Sequence, residues 1–100
     1  MAAYVIADID VRDAGRYEEY RRIVPPSIAA YGGRYLVRGG EMAILEGDWL
    51  PRRCVVIEFP SVEQARAWWD SEAYAPAKEI RRQCAKARMI LVAGAPQPSQ

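Results

Sequence analysis

Over residues 4–10 apolar and polar side chains alternate, with Val5, Ala7 and Ile9 on one side and Tyr4, Ile6, Asp8 and Asp10 on the other. A period of two marks a β-strand. The period then changes. After Asp13, a suitable helix N-cap, Tyr17, Tyr20, Val24, Ile28 and Tyr31 recur at spacings of three and four, which predicts an amphipathic helix. Pro25-Pro26 lies inside it, and a proline pair removes amide donors and crowds the preceding turn, so a kink or restart is expected there. Gly32 supplies a left-handed residue to end the helix. Residues 34–38 read as the next strand, Gly39-Gly40 as a tight turn or bulge, and residues 41–46 as a further strand-like run.

The loop Gly47-Asp48-Trp49-Leu50-Pro51 leads to an apolar strand over 53–59. Ser61 and Gln64 form a capping box that opens a helix through Ala65, Trp68 and Trp69. Trp68 and Trp69 are adjacent and cannot both face a core, so one belongs at an edge or interface. Ser71 and Glu72 are expected to break and restart the helix. A helix over about 76–86 should turn Ile80 and Cys84 inward and Lys78, Glu79, Arg81 and Arg82 outward, before a closing strand over 88–92. Lys78, Arg81, Arg82 and Lys86 then read as a solvated basic face. The order predicts an α+β, ferredoxin-like βαββαβ subunit, an antiparallel sheet with two helices on one face. Two helices cover only that face. Ile6, Val56 and one of Leu36 or Val37 would lie on the other, and the simplest cover is a second copy, making a homodimer.

One hundred residues make one domain, taken as residues 1–94, with 95–100 as a disordered tail. A net charge of +1 gives no field to attract nucleic acid or an anionic membrane surface. The N-terminus lacks a basic region and Asp8 ends its apolar run; no run elsewhere could span a bilayer. Together with Cys54 and Cys84, read as small buried hydrophobes of a reduced protein, this points to the cytoplasm. There is no histidine, which removes the usual haem ligand, most zinc sites and the commonest general base. No metal and no cofactor are therefore expected. The glycine pairs lack the spacing of a dinucleotide or phosphate loop.

Arg38, Glu46 and Arg53 are the charged residues at the ends of sheet segments. A buried arginine holds a carboxylate through two parallel bonds, so an acidic small molecule fits; the alternative is an internal Arg–Glu pair tying the glycine turns together. Desolvation of Glu46 would raise its pKa and make it a base, which makes it the candidate catalytic group. Tyr35 and Trp49 would line or flank such a site. The many aromatics fill core and interface, or line a pocket for an aromatic or lactone-like molecule.

Tyr17-Glu18-Glu19-Tyr20, the 32–40 segment, Glu46-Gly47-Asp48-Trp49, the 53–61 run and Trp69-Asp70-Ser71-Glu72-Ala73-Tyr74 carry a resemblance. Over nearly its whole length the chain resembles the small bacterial domains of the DUF1330 family, within the dimeric α+β barrel superfamily. That resemblance implies a sheet that pairs with a partner sheet to close a barrel. Relatives in the superfamily include cofactor-free monooxygenases, haem-degrading enzymes, lactone isomerases and chlorite dismutases, so it implies no single activity. The expectation is a cofactor-independent enzyme acting on a small acidic or aromatic metabolite in a barrel-associated cavity. The alternative is a non-catalytic small-molecule-binding or stress-associated dimer.

Overall fold

The computed structural model describes residues 1–96. Its elements are β1 (Ala3–Val11), α1 (Ala14–Ala30), β2 (Arg34–Arg38), β3 (Cys54–Phe59), α2 (Val62–Trp69), α3 (Ala75–Cys84) and β4 (Ala85–Ala93). The strands form one antiparallel sheet in the order β2-β3-β1-β4. Asp13 caps α1 by accepting from the Arg16 amide, and Ser61 caps α2 by accepting from that of Gln64. Gly32 ends α1 with φ +77°, the left-handed conformation expected of it. The helices pack on one face, where Val5, Ala7 and Ile9 of β1 and Val55, Ile57 and Phe59 of β3 are buried with Tyr17, Tyr20, Val24, Ile28, Trp68 and Tyr74. The Trp68 and Tyr74 rings stack with centroids 4.1 Å apart. Trp68 is the inward member of the tryptophan pair and Trp69 lies at the edge, half-buried.

Several expectations are corrected. Residues 41–46 form no strand: after Gly39, whose amide donates to the Cys54 carbonyl, the chain leaves the sheet in an exposed loop that runs to the start of β3. With β2 paired to β3 alone, that run has no ladder partner, and Met42, Ile44 and Leu45 stand exposed, Leu45 at 99%. The second helical segment is two helices, broken at Ser71 as expected. It yields to β4 sooner than the pattern suggested, at Ala85.

α1 is continuous through Pro25-Pro26. Pro25 has no N–H to return to the Arg21 carbonyl four residues earlier, but Arg38 Nη2 donates to that oxygen at 2.7 Å. An arginine from the sheet replaces the amide that the proline lacks. Arg81 is also not outward: it is 5% exposed. Ala77, Arg81 and Cys84 form the buried stripe of α3, at spacings of four and three, while Ile80 is half-buried. Cys84 is buried as expected, but Cys54 is only half-buried, and both thiols are free. Ala95 and Pro96 have no regular structure, and the rest of the expected tail, 97–100, lies outside the described residues. Among the described residues no helix is long and apolar enough to cross a membrane.

Candidate functional site: a cavity between the first helix and the sheet

The register of the sheet decides which side chains meet beneath α1. Tyr35 pairs with Ile57, but Val37 pairs with Val56, so Leu36 is the extra residue of a bulge. Strict alternation would put Tyr35 and Arg38 on opposite faces. The bulge puts both on the helix face. Arg38 then lies in one row with Val55, Ala7 and Met89 across all four strands. Ala7 is small, and the row leaves a cavity of about 10 Å³, enough for one water, lined also by Tyr17, Tyr20, Arg21 and Arg53.

The lining is rich in cations and phenols. The Arg38 guanidinium lies 4.4 Å from the Tyr35 ring centre and that of Arg53 lies 5.5 Å from the Tyr17 ring centre. Arg21 pairs with Glu18 through one terminal nitrogen at 2.9 Å. Arg38 and Arg53 are in no ion pair with a carboxylate among the described residues. Arg53 reaches the Arg38 carbonyl from Nη2 at 3.5 Å and lies against Tyr17, while its Nε, like that of Arg21, is buried without a partner. Gly39 makes room for it: at φ +74°, a Cβ there would overlap the Arg53 guanidinium. Burial pushes the Tyr35 hydroxyl up to about 12, although the nearby Arg38 charge works the other way. Burial also raises Tyr17 and Tyr20, with Arg53 opposing the first shift. These phenols stay protonated at neutral pH.

Of the five residues singled out in the sequence, Arg38, Tyr35 and Arg53 meet here. Glu46 and Trp49 do not. Glu46 is exposed in the loop and pairs with neither arginine, so it lacks the burial on which a role as base was conditional. Trp49 lies on the opposite face of the sheet, 69% exposed, over a cleft with Ile6, Pro51, Cys54 and Ile90. Sequence reasoning missed Arg21 and Arg81. The signals were the four-residue spacing from Arg21 to Pro25, which frees a carbonyl, and the stripe Ala77–Arg81–Cys84. Among the described residues no three His, Cys, Asp or Glu side chains gather as a metal site would require.

Comparison with known proteins bears on the fold. A protein of unknown function from Rhodopseudomonas palustris, RPA0582, superposes with a TM-score of 0.75 at 21% identity, over 96% of this chain and 84% of that one. SnoaB, a cofactor-independent oxygenase from Streptomyces nogalater, gives 0.59 at 12% identity over 99% and 97% of the two chains. A putative antibiotic biosynthesis monooxygenase from Nitrosomonas europaea gives 0.56 at 12%, over 93% and 89%. At these identities the likeness is one of fold. No curated protein matches the sequence significantly. The sequence model described as "Domain of unknown function (DUF1330)" matches residues 2–95, and the chain belongs to that family.

Proposed function

We propose that this protein binds a small acidic metabolite, its anionic head group entering the cavity between α1 and the sheet, and that it does so as a cytoplasmic homodimer. The observation that carries the reading is the pair of guanidinium groups, Arg38 and Arg53, facing one cavity with no ion pair to a carboxylate among the described residues and with Arg53 Nε unpartnered. Both guanidinium groups are half-buried, where a paired anion is favourable, and a bound acid supplies one. The cavity admits one oxygen-sized group as it stands, so a larger acid requires the wall to move. Arg53, whose one bond to a carbonyl is long, is the wall residue proposed to move aside. Of the other residues singled out in the sequence, Tyr35 stacks on Arg38 within the site, while Trp49, on the opposite face of the sheet, and Glu46, in the exposed loop, stand outside it.

The homodimer is supported by the uncovered face of the sheet, where Val37, Val56, Ile6 and Ile90 form one apolar row across all four strands. The two free thiols fit a reducing compartment. A second reading, cofactor-independent oxidation of the bound metabolite, is supported by the likeness in fold to SnoaB and by the phenol-lined cavity.

Native mass spectrometry of freshly purified wild type and of Arg53→Met tests the proposal. Dimer mass with a retained acid in the first, and dimer without it in the second, is the expected result. Wild type that never carries an acid, or Arg53→Met that retains it equally, removes the arginines from the site. Dioxygen uptake on adding the recovered acid separates turnover from binding.

A further inference from the structure

Two parts of the molecule are suited to strand pairing and find no ladder partner among the described residues. The first is the outer edge of β4. The strand order leaves β4 paired to β1 alone, so a nine-residue edge presents its outward amides and carbonyls to solvent. β2, the other edge strand, is five residues long and bulged, two devices by which sheets blunt an edge. β4 has neither, and its register with β1 is unbroken from Ala93 opposite Ala3 to Ala85 opposite Val11. The second part is the run Glu41-Met42-Ala43-Ile44-Leu45-Glu46, strand-like in sequence and exposed throughout. Covering Met42, Ile44 and Leu45 would remove apolar surface from water.

The two parts match in charge. Residues 39–51 carry Glu41, Glu46 and Asp48 and no lysine or arginine. A groove of opposite character runs along β4 where α2 and α3 meet it. Trp69 and Met89 lie at its middle, Arg82 and Lys86 at one end, and Arg66, beside Asp70, at the other. Arg66, Arg82 and Lys86 are exposed, and neither these cations nor the three acids take part in an ion pair among the described residues. From Lys86 to Leu91 the edge equals the 41–46 run in length, and that run has an acid at each end. The charges therefore fit in either strand direction.

We propose that residues 41–46 of one copy add a strand to the β4 edge of a second copy, and that the exchange is reciprocal. Main-chain bonds along the edge would supply affinity, and the acids meeting Arg66 and Lys86 would fix the register. This rests on the homodimer reading and adds the surface that holds the copies together. The loop returns to the sheet on its uncovered face, where the Arg52 amide donates to Asp8 at 2.9 Å and Trp49 lies over Ile6 and Ile90. Residues 40–50, doubled back, can reach about 18 Å at roughly 3.3 Å per residue. That exceeds the roughly 14 Å between the outer strands of a four-stranded sheet, so the far edge of a copy seated on this face is within reach.

The test is isotope-filtered NMR on a mixture of labelled and unlabelled full-length chains. Contacts between copies are expected to join residues 42–45 of one to residues 87–91 of the other. Contacts between copies confined to the apolar row of Val37, Val56, Ile6 and Ile90, with none to residues 42–45, overturn the inference and leave the face-to-face dimer standing. A wild type without contacts between copies overturns both.

Charge reversal, read by sedimentation, gives a second measurement. Glu41→Lys with Glu46→Lys should raise the dimer dissociation constant about tenfold, since modest surface pairs are reversed at both edges. Arg66→Glu with Lys86→Glu should do the same, and all four substitutions in one chain should restore pairing to within about threefold of wild type. Reversals that leave the dissociation constant unchanged, or that do not compensate each other, overturn the inference. All four side chains are exposed in the protomer, so these variants report on pairing and not on folding.

Discussion

The two faces of the sheet are built from the same strands and meet different surroundings. On the helix side, Val5, Ala7 and Ile9 of β1 lie between flanking strands and under the helices, and Trp68, Tyr74 and Phe59 are fully excluded from water. On the other side the alternate residues of β1, Tyr4, Ile6, Asp8 and Asp10, meet no helix. There the apolar row of Val37, Val56, Ile6 and Ile90 is bounded by cross-strand ion pairs, Arg34 with Glu58 at 2.8 Å and Arg88 with Asp8 at 3.0 Å. Ile90 remains 59% exposed. The covered face brings together Arg38 and Arg53, which form no ion pair with a carboxylate among the described residues, and the uncovered face carries an apolar row that no helix covers. That difference is why a ligand is proposed for the first and a partner copy for the second.

The largest contrast is expected between the centres of the two faces. Trp68→Ala removes the ring that touches both Phe59 and Tyr74 and should lower unfolding stability by about 3–5 kcal/mol, read by denaturant titration. Ile6→Glu, on the uncovered side, should leave the protomer folded and weaken pairing of copies by about 3 kcal/mol, as an unpaired charge at a buried contact does. Sedimentation reads the second effect. A monomeric wild type, or an Ile6→Glu protein that pairs normally, would remove the partner from that face.

A smaller effect tests the link between the sheet and α1. Arg38→Met strands the Arg21 carbonyl and should cost about 1–3 kcal/mol. Pro25→Ala restores an N–H to that carbonyl. In the Pro25→Ala background the same arginine substitution should cost about 1 kcal/mol less, a coupling that a double-mutant cycle measures. Additive effects would mean that Arg38 does not stand in for the missing amide.

The mildest effect is invisible at neutral pH. The Tyr35 hydroxyl is raised from 10.0 to about 12 by burial. Above pH 10 the unfolded chain therefore loses this proton before the folded one does, and the stability present below pH 10 should fall as pH rises towards 12. Below pH 10 the group should contribute no slope. Tyr35→Phe should flatten the alkaline limb of a plot of melting temperature against pH. An unchanged limb would show that Tyr35 titrates as an exposed phenol.

The elements were legible where periodicity was strong: β1, the apolar stripe of α1 and the caps Asp13 and Ser61 follow directly from spacing. The run 41–46 looked like a strand because its apolar content fits one, but a strand exists only with a partner, and pairing is not written in a local pattern. The continuity of α1 across Pro25-Pro26 depends on an arginine that is thirteen residues away in sequence from Pro25 and adjacent in space. The site was half legible. Arg38 and Arg53 stood out as charges at strand ends, and Tyr35 as their neighbour. Their convergence depends on the bulge at Leu36, which changes the face of Arg38, and nothing in the alternation of so short a strand announces it. Glu46 was attractive for its chemistry, but the loop carries it away from the cavity. Arg81 was assigned outward because charges usually are, and the stripe through Ala77 and Cys84 outweighs that tendency once the Tyr20 and Tyr74 hydroxyls are there to receive it.

The most direct test of the account is a crystal structure of the wild-type protein grown in formate. The account predicts a formate in the cavity beneath α1, an oxygen within hydrogen-bond distance of Arg53 Nε. An empty cavity with formate bound only to exposed arginines such as Arg34 or Arg88, or a carboxylate side chain of the protein occupying that place, would contradict it.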